Sequence, residues 1–262
     1  MVEQLGPLDG ATARRRSILT ALHSSGFASI TDLARSLGVS DMTIRRDLQK
    51  LAEVGEARVV RGGVSLPEGS LQHTGFDNRA GVNTAAKQRI AERAVGLVAL
   101  TDSVAVDAGT TTCALADALP SDFTGCVVTH SVPVIHRLTA SRPDARVVGL
   151  GGDLLRASEA FVGPMTVDAA THVRVRLFFL GAAAVDGRGV YVAADTERPT
   201  KLALMAAADE VVLLADHTKF ATSAPVRLCE LEQLSTVVTD RDPPEELRDQ
   251  LAEAGVTLTV AD

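Results

Sequence analysis

The most constraining feature of this chain is a rhythm in its larger part. Seven short apolar runs recur: SVAVD (103–107), CVVTH (126–130), ARVVGL (145–150), RLFFLG (176–181), EVVLLA (210–215), STVVTD (235–240) and VTLTVA (256–261). Segments with helical spacing lie between many of them, at 111–119, 132–140, 164–170, 198–208 and 244–254. A strand buried on both faces shows a continuous apolar run, and helices between such strands must cover those faces. The pattern therefore predicts a Rossmann-like, mostly parallel α/β domain. An amphipathic helix over 84–98 precedes it, with Ile90, Ala91, Ala94 and Leu97 facing inward. With no Trp, one Tyr and seven Phe, the core must be built from Val, Leu, Ala and Ile.

In such sheets ligands bind beyond the carboxyl ends of the strands. Polar loops fall at five of those ends. They are Asp107 to Thr112 with Gly109, Thr110 and Thr111; Thr129, His130 and Ser131; Gly151 and Gly152; Gly181; and Asp216 with Lys219. The stretch VDAGTTTCAL offers backbone N–H groups at a helix start beside three hydroxyls, which suits a phosphate. Lys219 can add a full charge, and Asp107 or Asp216 can accept from hydroxyls. Each loop alone also reads as an ordinary tight turn and helix cap.

The first sixty-six residues differ in kind. They carry a net charge of +2 and the remainder −9, within a total of −7, which suggests two jobs on one chain. Residues 13–25 place Ile18, Leu19 and Leu22 on one face, and Gly26 ends the segment. Thr31 can cap a short helix with Leu33, Ala34 and Leu37 inward, and Gly38 stops it. Ser40 then caps DMTIRRDLQKLAEVG, whose Ile44, Leu48, Leu51 and Ala52 recur at helical spacing. EARVVRGGVSL reads as two short strands around Arg61-Gly62-Gly63. Helix, short helix, turn, helix and wing is the winged helix-turn-helix layout, whose last helix enters the major groove of duplex DNA. Candidate DNA contacts are Ser40, Asp41, Met42, Thr43, Arg45, Arg46, Lys50 and Arg61. Arginine can bond guanine bidentately, and a helix N-terminus can hold a phosphate. The alternative is a solvated charged face, with Arg46 paired to Asp47 or Lys50 to Glu53.

These segments divide the chain into a disordered start (1–12), the winged head (13–66), a Pro-, Gly- and Ser-bearing linker (67–82) and the α/β body (83–262). Three cysteines without a pairing pattern read as small buried apolar residues in a reducing compartment. The start carries no apolar core of a signal peptide, and no apolar run reaches membrane length. A cytoplasmic protein is expected.

The run SLGVSDMTIRRDLQKLAEVGEARVVRGGVSL resembles the DNA-binding domain of DeoR-family bacterial repressors. Val39, Ser40, Thr43, Ile44, Arg45, Arg46, Asp47, Leu48 and Leu51 match the family's pattern, as do Gly62 and Gly63. The body resembles the family's effector domain along essentially its whole length, through D-x-G-T-T, T-x-S, G-G and D-x-x-K-F elements in order. The resemblance implies a fold similar to ribose-5-phosphate isomerase, glucosamine-6-phosphate deaminase and coenzyme A transferases. It also implies a repressor of metabolic genes that binds operator DNA as a homo-oligomer and is relieved by a phosphorylated sugar or related metabolite. Two departures stand out. His130 replaces the family's usual Asn in T-N-S, and Pro199 enters a region normally helical, so that helix must begin near Arg198.

Catalysis is not expected. The similar isomerases carry D-G-A-D-E-V-D in an acidic loop, and this chain has Leu180, Gly181, Ala182, Ala183, Ala184, Val185 and Asp186 there. A methyl group cannot move a proton. Glu197 or Asp153 would have to substitute. No nucleophile elbow or P-loop lysine occurs. The six His are scattered, with His130 and His136 poorly spaced for a metal, so neither cofactor nor metal is expected.

Overall fold

The computed structural model describes residues 10–25, 27–60, 63–65 and 75–261. Most of the expected disordered start, Arg61 and Gly62 of the expected wing, and the first half of the expected linker (67–74) lie outside the described residues.

The head is built from α1 (Gly10–Ser25), β1 (Phe27–Ser29), α2 (Ile30–Leu37), α3 (Asp41–Glu53), β2 (Arg58–Val60) and β3 (Gly63–Ser65). Ile18, Leu22, Ile30, Leu33, Ile44, Leu48 and Leu51 converge on one small core, each contributing about 1.5–3 kcal/mol of burial. Gly38 ends α2 in the left-handed conformation at φ 64°, which glycine adopts without a Cβ clash. The cap of α2 is Ser29 rather than Thr31: its hydroxyl accepts from Asp32 N. The two strands expected over 56–66 form as β2 and β3, and β1 joins them in a sheet of order β1-β3-β2. A Cβ on Gly63 would lie 2.4 Å from Ala28 O, so glycine is what lets β1 and β3 pair.

The body begins earlier than its periodicity suggests. Residues 76–80 were expected in the linker but form α4 (Phe76–Ala80), whose Phe76 is buried in the body's core. After α5 (Thr84–Val95) come β4 (Ser103–Val106), α6 (Thr110–Ala118), β5 (Cys126–Thr129), α7 (Val132–Ser141) and β6 (Arg146–Gly149). A hairpin of β7 (Asp153–Leu155) and β8 (Ala160–Val162) leads to α8 (Pro164–Thr171) and β9 (Val175–Gly181). Next follow β10 (Ala184–Asp186), β11 (Gly189–Val192), α9 (Arg198–Ala206), β12 (Ala208–Leu214) and β13 (Val226–Cys229). The chain ends with β14 (Thr236–Thr239), α10 (Glu245–Glu253) and β15 (Thr257–Val260).

All seven apolar runs become strands of one wholly parallel sheet, in the order β15-β14-β12-β9-β4-β5-β6. Period-two alternation sends Leu177 and Phe179 to one face, against α4 to α7. Phe178 and Leu180 go to the other face, against α8 to α10 and the small sheet β10-β11-β13. Pro199 sits in the first turn of α9, as its missing N–H requires. Leu97, expected inward, is 42% exposed because α5 has already ended. Strand order reverses between β4 and β9, and there a crevice opens at the carboxyl edge. Among the described residues, no helix is long and apolar enough to cross a membrane.

Candidate functional site

Ser40 caps α3, its hydroxyl accepting from Thr43 N and lying 3.0 Å from the Thr43 hydroxyl. The helix then turns Ile44, Asp47, Leu48 and Leu51 into the head. Met42, Arg45, Arg46 and Lys50 are left exposed on the opposite face, with Asp41 beside them. Asp47 does not neutralise Arg46. It is buried and accepts from Arg14 Nε at 2.5 Å. Arg45, Arg46 and Lys50 make no hydrogen bond or ion pair with any described residue. Three solvated cations thus share one helix face beside the helix N-terminus, whose dipole adds partial positive charge.

The second site is a cleft over the carboxyl ends of β4, β9 and β12, where ligands of parallel α/β sheets bind. Ala108, Gly109, Thr110 and Thr111 form one wall. The cap residue Gly109 has no side chain to bond, and no acidic residue lies in the first turn of α6. The leading N–H groups of that helix therefore lack side-chain partners and face the cleft. Lys219 enters from the 3-10 turn His217–Phe220 that follows β12. The Lys219 backbone N–H donates to Asp216 O at 2.9 Å, while its ammonium makes no hydrogen bond or ion pair with a described residue. Asp216, also lining the cleft, is held by Thr218 N at 3.0 Å, the Thr218 hydroxyl at 2.5 Å and Asn83 Nδ2 at 3.4 Å. Burial pushes its carboxyl up, but Lys219, Thr218 and Lys87 outweigh that and hold it below the usual range.

Two more cations come from segments that sequence reasoning did not assign to the site. Lys87, on α5, donates to Arg79 O and, at 2.6 Å, to Val82 O. Burial lowers its pKa to about 8, with Asp216 acting against that and Lys219 and Arg79 adding to it. Arg79, on α4, donates to Ala157 O at 3.0 Å, and its buried Nε has no partner. Burial lowers the Arg79 pKa and Glu197 raises it. Lys201 and Glu197 also line the cleft. A signal for both lysines existed. Lys87 shares the apolar stripe of Ile90, Ala91 and Ala94, and Lys201 that of Leu204 and Met205. A charge inside such a stripe must find buried partners.

Of the residues proposed from sequence, Gly109, Thr110, Thr111, Gly181, Asp216 and Lys219 meet at the cleft. Asp107, Thr112, Thr129, His130, Ser131, Gly151 and Gly152 do not line it. Asp107 is wholly buried beneath it. Its carboxylate accepts from Gly181 N at 2.8 Å, from Lys201 Nζ and from His130 Nε2 at 3.0 Å. Burial raises its pKa, yet Lys201 and His130 bring it down to about 2. The other ring nitrogen of His130 lies 2.8 Å from Phe161 O, so this side chain ties the β7–β8 hairpin to the floor. Thr112 donates to Asp107 O and Gly109 O, Thr129 straps β5 to Val106 O, and Ser131 caps α7. Gly151 O accepts from Thr166, and Gly152 approaches the same side chain too closely for a Cβ. Of the two carboxylates named as substitute bases, only Glu197 reaches the cleft; Asp153 does not. Among the described residues there is no cluster of three or more His, Cys, Asp or Glu suited to a metal.

Residues 14–69 match the DeoR-like helix-turn-helix domain, and residues 82–241 match the DeoR C terminal sensor domain. The glycerol-3-phosphate regulon repressor of Escherichia coli (strain K12) is 30% identical over 94% of this chain and 98% of its own length. The HTH-type transcriptional regulator GlpR of Haloferax volcanii is 32% identical over 94% of this chain and 96% of its own. A solved ribose 5-phosphate isomerase from Methanocaldococcus jannaschii is 19% identical with a TM-score of 0.38, over 52% of this chain and 54% of that one. With both of its domains matched and full-length relatives at this identity, the chain belongs to the DeoR family of DNA-binding transcriptional regulators.

Proposed function

We propose that this regulator is a repressor whose body senses a phosphorylated sugar or polyol and thereby changes the affinity of its head for operator DNA. The observation that carries the reading is the meeting of an uncapped helix start, Lys219, Lys87 and Arg79 around one cleft, in a chain of net charge −7. Phosphate oxygens would take the amides and hydroxyls of Thr110 and Thr111 and the ammonium of Lys219. Asp216 would accept from a ligand hydroxyl. Charge-assisted bonds are worth about 1.5–3 kcal/mol each, so three or four give micromolar binding. Chemistry on the ligand is not part of the proposal. Ala183 presents a methyl group to the cleft where the acidic loop of the isomerases carries an aspartate.

On the DNA side, Arg45 and Arg46 would read base edges, while Ser40, Thr43 and Lys50 would hold phosphates. One such helix reads only a few base pairs, so two heads acting together supply specificity, and self-association is part of the proposal.

Two contacts support communication between the sites. Helix α4, which brings Arg79 to the cleft, packs against α1 of the head. Arg58 of the wing donates to the Ser223 hydroxyl at 2.9 Å. The adjacent Thr222 donates to Ala183 O at 3.1 Å and Thr218 O at 3.2 Å, both on residues lining the cleft. A ligand that moves either wall changes how the head is held. A coupling of about 1–3 kcal/mol alters DNA affinity roughly 5- to 150-fold.

The test is operator binding on a DNA fragment selected in vitro by the protein, titrated with phosphorylated polyols and sugars. The proposal expects at least one of them to shift the affinity, and no turnover of a pentose phosphate in a coupled isomerase assay. DNA binding that ignores every such compound overturns the sensing half, and turnover overturns the assignment as a sensor alone.

A further inference from the structure

The cleft is not uniformly basic. Its charges fall into two groups. Lys219 and Lys87 act on each other and on Asp216, beside the start of α6. Glu197 comes from a different element, the 3-10 turn Asp195–Glu197 after β11, with Val192 and Ala193 lining the same wall. The charge of Glu197 reaches Arg79, whereas those acting on Lys87 are Asp216, Lys219 and Arg79. Arg79 is thus the charge common to both groups, and its buried Nε has no hydrogen-bond partner. Glu197 itself is half-buried, and its carboxylate makes no hydrogen bond or ion pair with any described residue. Lys219 and Glu197 are therefore charges of opposite sign that line one cavity from different elements, with no ion pair between them.

Such a site has a direction. An anion belongs at the α6 and Lys219 end. At the Glu197 end a carboxylate, which only accepts hydrogen bonds, calls for donors. A second anion there would meet a fixed negative charge in a partly desolvated space, where repulsion is poorly screened. Resting on the reading of the cleft as a phosphate site, we infer that the effector is a phosphomonoester whose far end presents hydroxyl or ammonium donors to Glu197, and that Glu197 excludes bisphosphates and phosphorylated sugar acids. Glu197 is then the residue that sets which phosphorylated compounds are heard, while Lys219 sets that they are phosphorylated.

The experiment is calorimetric titration of the full chain with inorganic phosphate, glycerol-3-phosphate, a hexosamine phosphate, a hexose bisphosphate and a phosphorylated aldonic acid. It is run on the wild type, Glu197→Gln and Lys219→Ala, with unliganded melting checked first. In the wild type, a donor-bearing monophosphate binds about tenfold or more tighter than either probe with a second anionic group. In Glu197→Gln that preference shrinks about tenfold, because the monophosphate weakens and the probes with a second anionic group tighten, and inorganic phosphate is unchanged. Equal ranking of the probes by wild type and Glu197→Gln, or a wild type that prefers the bisphosphate, overturns the inference while leaving the phosphate site standing. If no probe binds the wild type, or Lys219→Ala binds them all as well as the wild type, the phosphate site fails and the inference falls with it.

Discussion

The face of α3 and the body's cleft both carry positive charge, and they do so in opposite ways. On α3, Arg45, Arg46 and Lys50 stand in water with no partner in the described chain. In the cleft, Lys87 and Lys201 are buried and already bonded to carbonyls or to Asp107. Solvated charges act additively on a polyanion and are weakened by salt. Buried charges act over short distances at low dielectric, so each must be offset within the fold before a ligand arrives. The first arrangement suits a long duplex approached from outside. The second suits a small anion whose shape and remaining groups are to be judged.

The largest expected effect tests the buried side. Asp107→Asn leaves Lys201 without its charge partner in a closed site, and breaking such pairs costs about 3–5 kcal/mol of stability, read as a fall in the thermal midpoint. In the wild type the folded carboxyl, near 2, lies below its unfolded value. Its contribution is therefore present at neutral pH and lost as pH falls from about 4 towards 2; the variant should lose that part of the acid dependence. Lys219→Ala should weaken binding of a phosphorylated effector by about 1.5–3 kcal/mol and leave effector-free DNA binding unchanged. Arg45→Ala should do the converse, weakening specific DNA binding by about 1–3 kcal/mol while effector binding stays the same. Loss of both activities in either variant would collapse the contrast between the two sites.

The smallest effect is a pH profile. Lys87 is charged below about 8 and neutral above, so anion binding falls as pH rises through that value. Below about pH 6 a phosphomonoester dianion takes up a proton to become the monoanion, and binding falls again. Calorimetry across that range should give a maximum between these limits, whereas DNA binding by α3 depends on salt more than on pH. A profile flat through pH 8 would remove Lys87 from the anion site.

What was legible in the sequence follows the same contrast. The seven strands were readable because burial on both faces leaves unbroken apolar runs, and α3 because its outward side chains alternate with an inward stripe. Pro199 marked the start of α9 by what it cannot donate. The strands β1, β7, β8, β10, β11 and β13 lie outside the parallel seven-stranded sheet and owe their pairing to tertiary contacts, so local pattern did not show them. In the cleft, Lys219 and the α6 start were found from one loop each. Arg79 and Glu197 are brought there only by the fold, and Arg79 comes from a stretch that reads as linker. Asp107 and His130 carried the right chemistry for a ligand, but the fold uses it under the floor. The His130 departure from the family's pattern thus changes how the β7–β8 hairpin is tied to the site rather than what lines it.

The central claim is that the cleft, through Lys219, controls DNA affinity. Its most direct test is the operator dissociation constant of wild type and Lys219→Ala, each with and without a saturating phosphorylated polyol or sugar that binds the wild type. The expected result is a roughly 5- to 150-fold shift in the wild type and none in the variant at the same ligand concentration. An equal shift in both proteins would contradict it.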